Sequence, residues 1–263
     1  MKNKIAFISG FFCINHNINS FDENQKLMYS CLYNSGKKYF LKNNDVDFIF
    51  VNNFDFDFDG VINIKIKYPL YSYQHMLLMK ILMLNYIDRK KYDYIFVNDG
   101  DQMFIDYVDD NFLKNDFNIM EHFFHPNAFQ ILNDLTNIIK IHDGVKNEEW
   151  TMGNFFGGKS EIFFNIVDFV NVHHEIYIKK MNNEANFYSI YPDEVFLMKF
   201  MVEKKMKFNR LNTITVPGIS EKKYFLSDFQ DDINLYPNIN NTILLHNTKK
   251  NINTLKQINK YYI

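Results

Sequence analysis

Asp99 and Asp101 stand on either side of Gly100, at the end of the apolar run in YDYIFVNDGDQMF, Tyr92 to Phe104. At that spacing both carboxylates project from the same side of an extended chain. They also lie beyond the carboxyl end of a strand, where open α/β sheets bind ligands. Two like charges so placed repel each other unless a cation lies between them. Mg2+ or Mn2+ suits that role, because hard divalent cations take carboxylate and phosphate oxygens together. A nucleoside diphosphate would complete such a shell. The plainer alternative is a turn, since Asn-Asp-Gly is common turn chemistry and acids often end strands in solvent. The motif alone leaves both open.

Three further segments carry residues capable of chemistry. WTMGNFFGGKSEIFF, from Trp150, has three glycines around two phenylalanines directly before a helical pattern. Glycine lets a loop press its main chain against a sugar or phosphate; the same residues also suit a tight turn with Phe155 and Phe156 plugged into the core. FFHPNAF places His125 before Pro126, which holds it extended at a loop edge, although a solitary histidine is more often structural. YPDEVFLMKF puts Asp193 and Glu194 in the first turn of a helix opened by Pro192, where acids complement the helix dipole. A carboxylate there could equally act as nucleophile at an anomeric carbon or stabilise an oxocarbenium ion. FDFDFDG opens like a calcium loop, but its twelfth position is Ile66 instead of a bidentate Glu. Its strict alternation predicts a strand with one wet face.

The elements that must position these residues alternate between short strands and longer helices, the pattern of a mostly parallel α/β sheet flanked by helices. KIAFISG, VDFIFVNN and YDYIFVND read as buried strands. NQKLMYSCLYNSGKKYFLK, SYQHMLLMKILMLNYI, SEIFFNIVDFVNVHHEIYIKKM (with Ser160 as its cap) and DEVFLMKFMVEKK read as helices. No linker or repeat interrupts them, so a single Rossmann-like domain over 1–263 is expected, with a basic tail over 245–263. At 263 residues and 47% hydrophobic the chain can bury a sizeable core. Its 31 acidic and 29 basic residues give a formal net charge of −2, which supplies no global field for nucleic acid. Cys13 and Cys31 read as free buried thiols. MKNKIAFISGFF lacks a cleavage pattern and a membrane span, so a soluble cytoplasmic protein is expected.

Taken in order, VNDGDQMF, HPNAF, MGNFFGG and PDEVFLMKF resemble the motifs of the family 6 retaining glycosyltransferases, which include the histo-blood-group A/B transferases and α-1,3-galactosyltransferase. The likeness runs from about Tyr33 to Lys205. It implies a GT-A fold and transfer of galactose or N-acetylgalactosamine from UDP to the 3-hydroxyl of an acceptor galactoside, an oligosaccharide or glycolipid, with retention. Under it Asp99 and Asp101 hold Mn2+ or Mg2+ and the donor diphosphate. Glu194 is the nucleophile or cation stabiliser, with Asp193 against the donor sugar. Met152, Gly153 and Asn154 meet the donor hexose, and Ser9, Gly10, His75, Gly100 and Lys249 complete the donor side. His125, Trp150 and Tyr191 face the acceptor. The chain departs from the family in carrying His75 and Lys80, not arginines, on the helix before the acidic pair. It also has Asn154 where Gly or Ala is usual; with Met152 this crowds a 2-acetamido group and favours galactose, whereas a hydrogen bond from Asn154 to the acetamido carbonyl would favour the opposite. Two rivals remain: a family-8-like transferase using UDP-glucose or UDP-galactose, with His246 of LLHNTKK as a third metal ligand, and a non-catalytic carbohydrate-binding protein.

Overall fold

The first strand, β1 (Lys4–Phe11), is apolar on both faces, as a central parallel strand must be. It pairs in parallel with β2 (Asp45–Asn52) on one side and β4 (Tyr94–Asn98) on the other. The computed structural model describes residues 2–14, 21–68, 70, 72–121, 151–182, 192–211, 213–214, 224–226 and 242–246. β3 (Ile62–Lys65) extends the sheet beyond β2, and β7 (Thr151–Lys159), β6 (Phe117–Glu121) and β8 (Asn209–Leu211) extend it beyond β4. The seven strands run in the order β3-β2-β1-β4-β7-β6-β8. β7 alone is reversed, antiparallel to both β4 and β6. The central sheet is therefore mostly parallel and flanked by helices, as the alternating pattern predicted.

Strand alternation divides the interior in two. Ile8, Ile95 and Val97 point into a mixed core of aliphatic residues and rings such as Phe156, Phe163 and Phe196, beneath α2 (Tyr73–Leu82), α3 (Ser160–Asn182) and α4 (Pro192–Lys204). Phe7, Phe50 and Phe96 point the other way, into an aromatic core under α1 (Glu23–Tyr39). There Phe40 sits 5.0 Å from Phe7 and 5.3 Å from Phe96, centroid to centroid. A second sheet, β5-β11-β10-β9, joins β5 (Gln102–Phe104) to β11 (Thr242–His246), β10 (Tyr224–Leu226) and β9 (Thr213–Ile214). No helix among the described residues is long and apolar enough to cross a membrane.

Three local expectations change. FDFDFDG is an irregular turn and not a strand. Its alternation still sorts the faces: Phe54, Phe56 and Phe58 pack around Phe21, while Asp55 and Asp57 hold Lys65 at 2.6 and 3.1 Å. Apolar rings were enough to fold the segment over α1 without ladder hydrogen bonds. MGNFFGG is not a loop but the body of β7. Ser160 is the first residue of α3, and its buried hydroxyl finds no hydrogen-bond partner among the described residues, so it does not cap the helix through its side chain.

The glycine pair in β7 answers to packing inside the sheet. A Cβ on Gly157 would lie 2.2 Å from the Ile95 carbonyl oxygen of β4, and one on Gly158 2.2 Å from that of Asp116, next to β6. Backbone cannot give way as a flexible side chain can. Gly157→Ala should destabilise the protein by about 3 kcal/mol, read as a lower urea midpoint with an unchanged slope; a loss below about 0.5 kcal/mol would mean that the strands separate freely at this point.

Candidate functional site

β4 ends at Asn98, and the chain turns through Asp99, Gly100 and Asp101 before β5. Tyr29 of α1 covers this turn: a Cβ on Gly100 would fall 2.1 Å from its ring, so glycine is the residue that lets α1 sit so close. The Tyr29 hydroxyl donates to the Gly10 carbonyl at 2.6 Å. Burial first, and then Asp99 and Asp101, raise its pKa, so it stays a protonated donor.

The reversed strand matters here. Because β7 runs against β4, its opening residues arrive where β4 ends: Asn98 pairs with Phe155, and the Asp99 N–H donates to the Asn154 carbonyl at 2.9 Å. Gly153 follows, and α4 brings Asp193 and Glu194 against it. The Gly153 N–H donates to Glu194 Oε1 at 3.0 Å. A Cβ on Gly153 would meet Asp193 Oδ2 at 2.2 Å, so any larger residue would have to displace the Asp193 carboxylate from its place beside Lys80. Asp193 is 1% exposed and Glu194 8% exposed, so these acids turn inward rather than serving the helix dipole from the surface.

Lys80 of α2 joins the parts. Its Nζ lies 2.8 Å from Asp99 Oδ1 and 3.2 Å from Asp193 Oδ2, and it donates to the Gly153 carbonyl at 3.1 Å. Burial alone would depress the lysine pKa; Asp193 and Asp99 outweigh it, and the net shift is upward. The ammonium is thus a fixed positive charge shared by two motifs far apart in sequence. Its sequence signal was a single lysine in the otherwise apolar MLLMKILML.

Beside this cluster opens a cavity of about 180 Å³, walled by Phe12, Met28, Tyr29, Met76 and Met83 and reaching Lys80, Asn98, Asp99, Gly100 and Asp101. The oxygen donors of Asp99 and Asp101 are of the kind a hard divalent ion takes. A cation there would share Asp99 with Lys80 and draw its remaining oxygens from a ligand, since no group of three His, Cys, Asp or Glu among the described residues forms a closed cage.

Of the residues expected on the donor side, Gly10, Gly100, Gly153 and Asn154 lie in or beside this region. Ser9 is fully buried and donates to the Asn98 carbonyl at 2.7 Å, a bond that ties β1 to β4. His75 packs into the α2–α3 contact, its ring 5.1 Å from Tyr68 and 6.5 Å from His174. Burial, and next His174, push its pKa down to about 4, so it is neutral at pH 7. Met152 lies in β7, with its backbone opposite Met120. His125, Trp150, Tyr191 and Lys249 fall outside the described residues. No family model matches the chain, and no curated protein is significantly similar to it.

Replacing Lys80 removes the ammonium that lies against buried Asp193. Lys80→Met should lower stability by about 3 kcal/mol at pH 7, with Lys80→Arg recovering part of it. A raised lysine pKa contributes in full below the ordinary value of about 10.4 and is lost as pH rises through the folded value. Wild type should therefore lose stability above about pH 10.4 by a step that Lys80→Met lacks; identical alkaline profiles would remove the ion pair from the account.

Proposed function

We propose that the protein is a retaining glycosyltransferase of GT-A form that moves galactose, or its N-acetyl derivative, from UDP to the 3-hydroxyl of an acceptor galactoside. One observation carries this reading: Asp99, Gly153, Asp193 and Glu194, from three separate motifs, converge on one cluster through Lys80 and the Gly153 amide. The reversed β7 supports the GT-A form, because it delivers Gly153 and Asn154 to the edge where β4 delivers its acids.

The chemistry follows from the charges. Breaking the bond between sugar and diphosphate leaves positive charge at the anomeric carbon and negative charge on UDP. Glu194, aimed by the Gly153 N–H, stabilises or attacks that carbon on the face opposite the leaving group. Asp193 and Lys80 present an acceptor and a donor for hexose hydroxyls and orient the ring. The acceptor hydroxyl oxygen then bonds to the anomeric carbon on the face UDP has left, breaking any bond to Glu194 and passing its proton to the departed diphosphate, which retains configuration. A Mg2+ or Mn2+ ion held by Asp99, Asp101 and the diphosphate would supply neutralisation of the departing UDP.

A second reading keeps one specific observation in its favour. The backbone of His246 pairs with Gln102, the residue following Asp101. That register suits the family-8-like alternative, in which His246 joins the acidic pair as a metal ligand and the donor is UDP-glucose or UDP-galactose.

Glu194→Gln preserves the shape of the side chain and should reduce transfer at least about 100-fold while UDP binding, measured by calorimetry, stays within about threefold; unchanged turnover rules out the role. EDTA should abolish wild-type transfer, and full activity in EDTA defeats the metal assignment. A transfer screen with UDP-galactose, UDP-N-acetylgalactosamine and UDP-glucose, repeated on His246→Ala, separates the two readings. The first expects galactosyl donors and retained activity in His246→Ala; the second expects metal affinity and activity to fall together.

A further inference from the structure

Asn98 closes β4 with a side chain that the fold leaves unsatisfied. It is 2% exposed, and neither its Oδ1 nor its Nδ2 meets a hydrogen-bond partner among the described residues. Its backbone, by contrast, is in use: Asn98 pairs with Ser9 and with Phe155, and its carbonyl also accepts the Ser9 hydroxyl. Buried side-chain amides are hydrogen-bonded in the large majority of cases. This one therefore calls for an explanation, and its position supplies it.

The residue lies in the wall of the cavity beside Lys80, with Asp99, Gly100 and Asp101 following it. Around it the wall changes character. Phe12, Met28, Met76 and Met83 are apolar, whereas Lys80 and the two aspartates form a charged end. Two carboxamides line the cavity, and of these Gln25 is only half-buried whereas Asn98 is buried and unpartnered among the described residues. Apolar walls with one such buried carboxamide match a flat heteroaromatic ring, whose faces shed water onto apolar side chains while its edge requires hydrogen bonds. The charged end suits the diphosphate and sugar of the same molecule. A carboxamide offers one acceptor beside one donor, the complement of the N–H and C=O neighbours on a uracil edge. Gln102 has the same deficit at 1% exposure but does not line this cavity, and it has no part in the argument.

Resting on the UDP-sugar reading above, we propose that Asn98 reads the nucleobase of the donor, its Oδ1 accepting from the imide N3–H of uracil and its Nδ2 donating to an adjacent carbonyl oxygen. Asn98 is then a specificity-determining residue for the nucleotide. A residue whose partner arrives with the ligand is expected to look unpartnered in the protein alone.

The test is calorimetric binding of UDP, 3-methyl-UDP (N3–H blocked) and 2′-deoxy-UDP to the wild-type protein and to Asn98→Leu, which is close to isosteric. Wild type should bind 3-methyl-UDP at least about tenfold more weakly than UDP and should be less sensitive to loss of the 2′-hydroxyl. Asn98→Leu should bind UDP about tenfold more weakly and no longer distinguish UDP from its 3-methyl derivative. Its thermal midpoint should match or exceed that of wild type, because an unpartnered buried amide has been removed; a structural role for the amide would lower it. Equal binding of UDP and 3-methyl-UDP by wild type overturns the assignment, as does undiminished UDP binding by Asn98→Leu. A penalty in Asn98→Leu that tracks the 2′-hydroxyl moves the residue to the ribose and overturns it as well. Failure of wild type to bind UDP at all defeats the transferase reading itself, whereas UDP binding without N3 dependence defeats the role of Asn98 alone.

Discussion

The ammonium of Lys80 is the point on which the site's geometry depends. It lies against Asp99 from the turn after β4, Asp193 from α4 and the Gly153 carbonyl from β7, while belonging itself to α2. Each of those carboxylates would be costly to place alone in an interior that is almost dry around Asp193. Together with one cation they become a compact charged cluster. The question raised by two neighbouring aspartates at a strand end is thus answered in part from within the chain: positive charge reaches Asp99 from an adjacent helix. The same contact brings the acids of α4 to the acids of β4, which local sequence had no means of arranging.

Around that hub, clearance is set by glycine. Gly100 lets the ring of Tyr29 lie on the acidic turn, and Gly153 lets Asp193 and Glu194 close on β7. Elsewhere in the sheet Gly157 and Gly158 serve a different end, admitting the backbones at Ile95 and Asp116. The glycines of a single motif therefore divide into one that shapes the site and two that shape the sheet. The distinction is steric and visible only once the neighbouring strands are in place.

The aromatic half of the core gives this arrangement a firm base. Phe7, Phe40, Phe96, Phe104 and Phe155 are almost fully buried, and their rings meet edge to face or tilted at about 5 to 6 Å, apart from the stacked pair of Phe96 and Phe155. Such contacts favour fixed geometries, and they lie directly beneath the turn that carries the acids. The mixed core on the opposite face holds α2 and α4, from which Lys80, Asp193 and Glu194 extend. Two packed layers thus hold the two halves of one polar cluster in register.

Much of this was determined by local sequence. Apolar runs of strand length, helical spacing and the acidic ends of YIFVNDGD and PDEV specify a mostly parallel sheet with carboxylates at its edge, because burial and side-chain periodicity act over a few residues. The Phe/Asp alternation at Phe54–Asp59 likewise sorted inside from outside, although it could not tell a strand from a turn: both satisfy the same alternation, and only pairing separates them. What tertiary structure alone decided is who meets whom. The reversal of β7 turned an expected glycine loop into a strand that reaches the acidic turn. Lys80, unremarkable in its helix, became the bridge, and His75 turned away toward His174. Asn98 was hidden among its acidic neighbours until its burial showed an amide with no hydrogen-bond partner among the described residues. These outcomes depend on distances between residues tens of positions apart, which sequence periodicity does not encode and which closing the two cores over the sheet imposes.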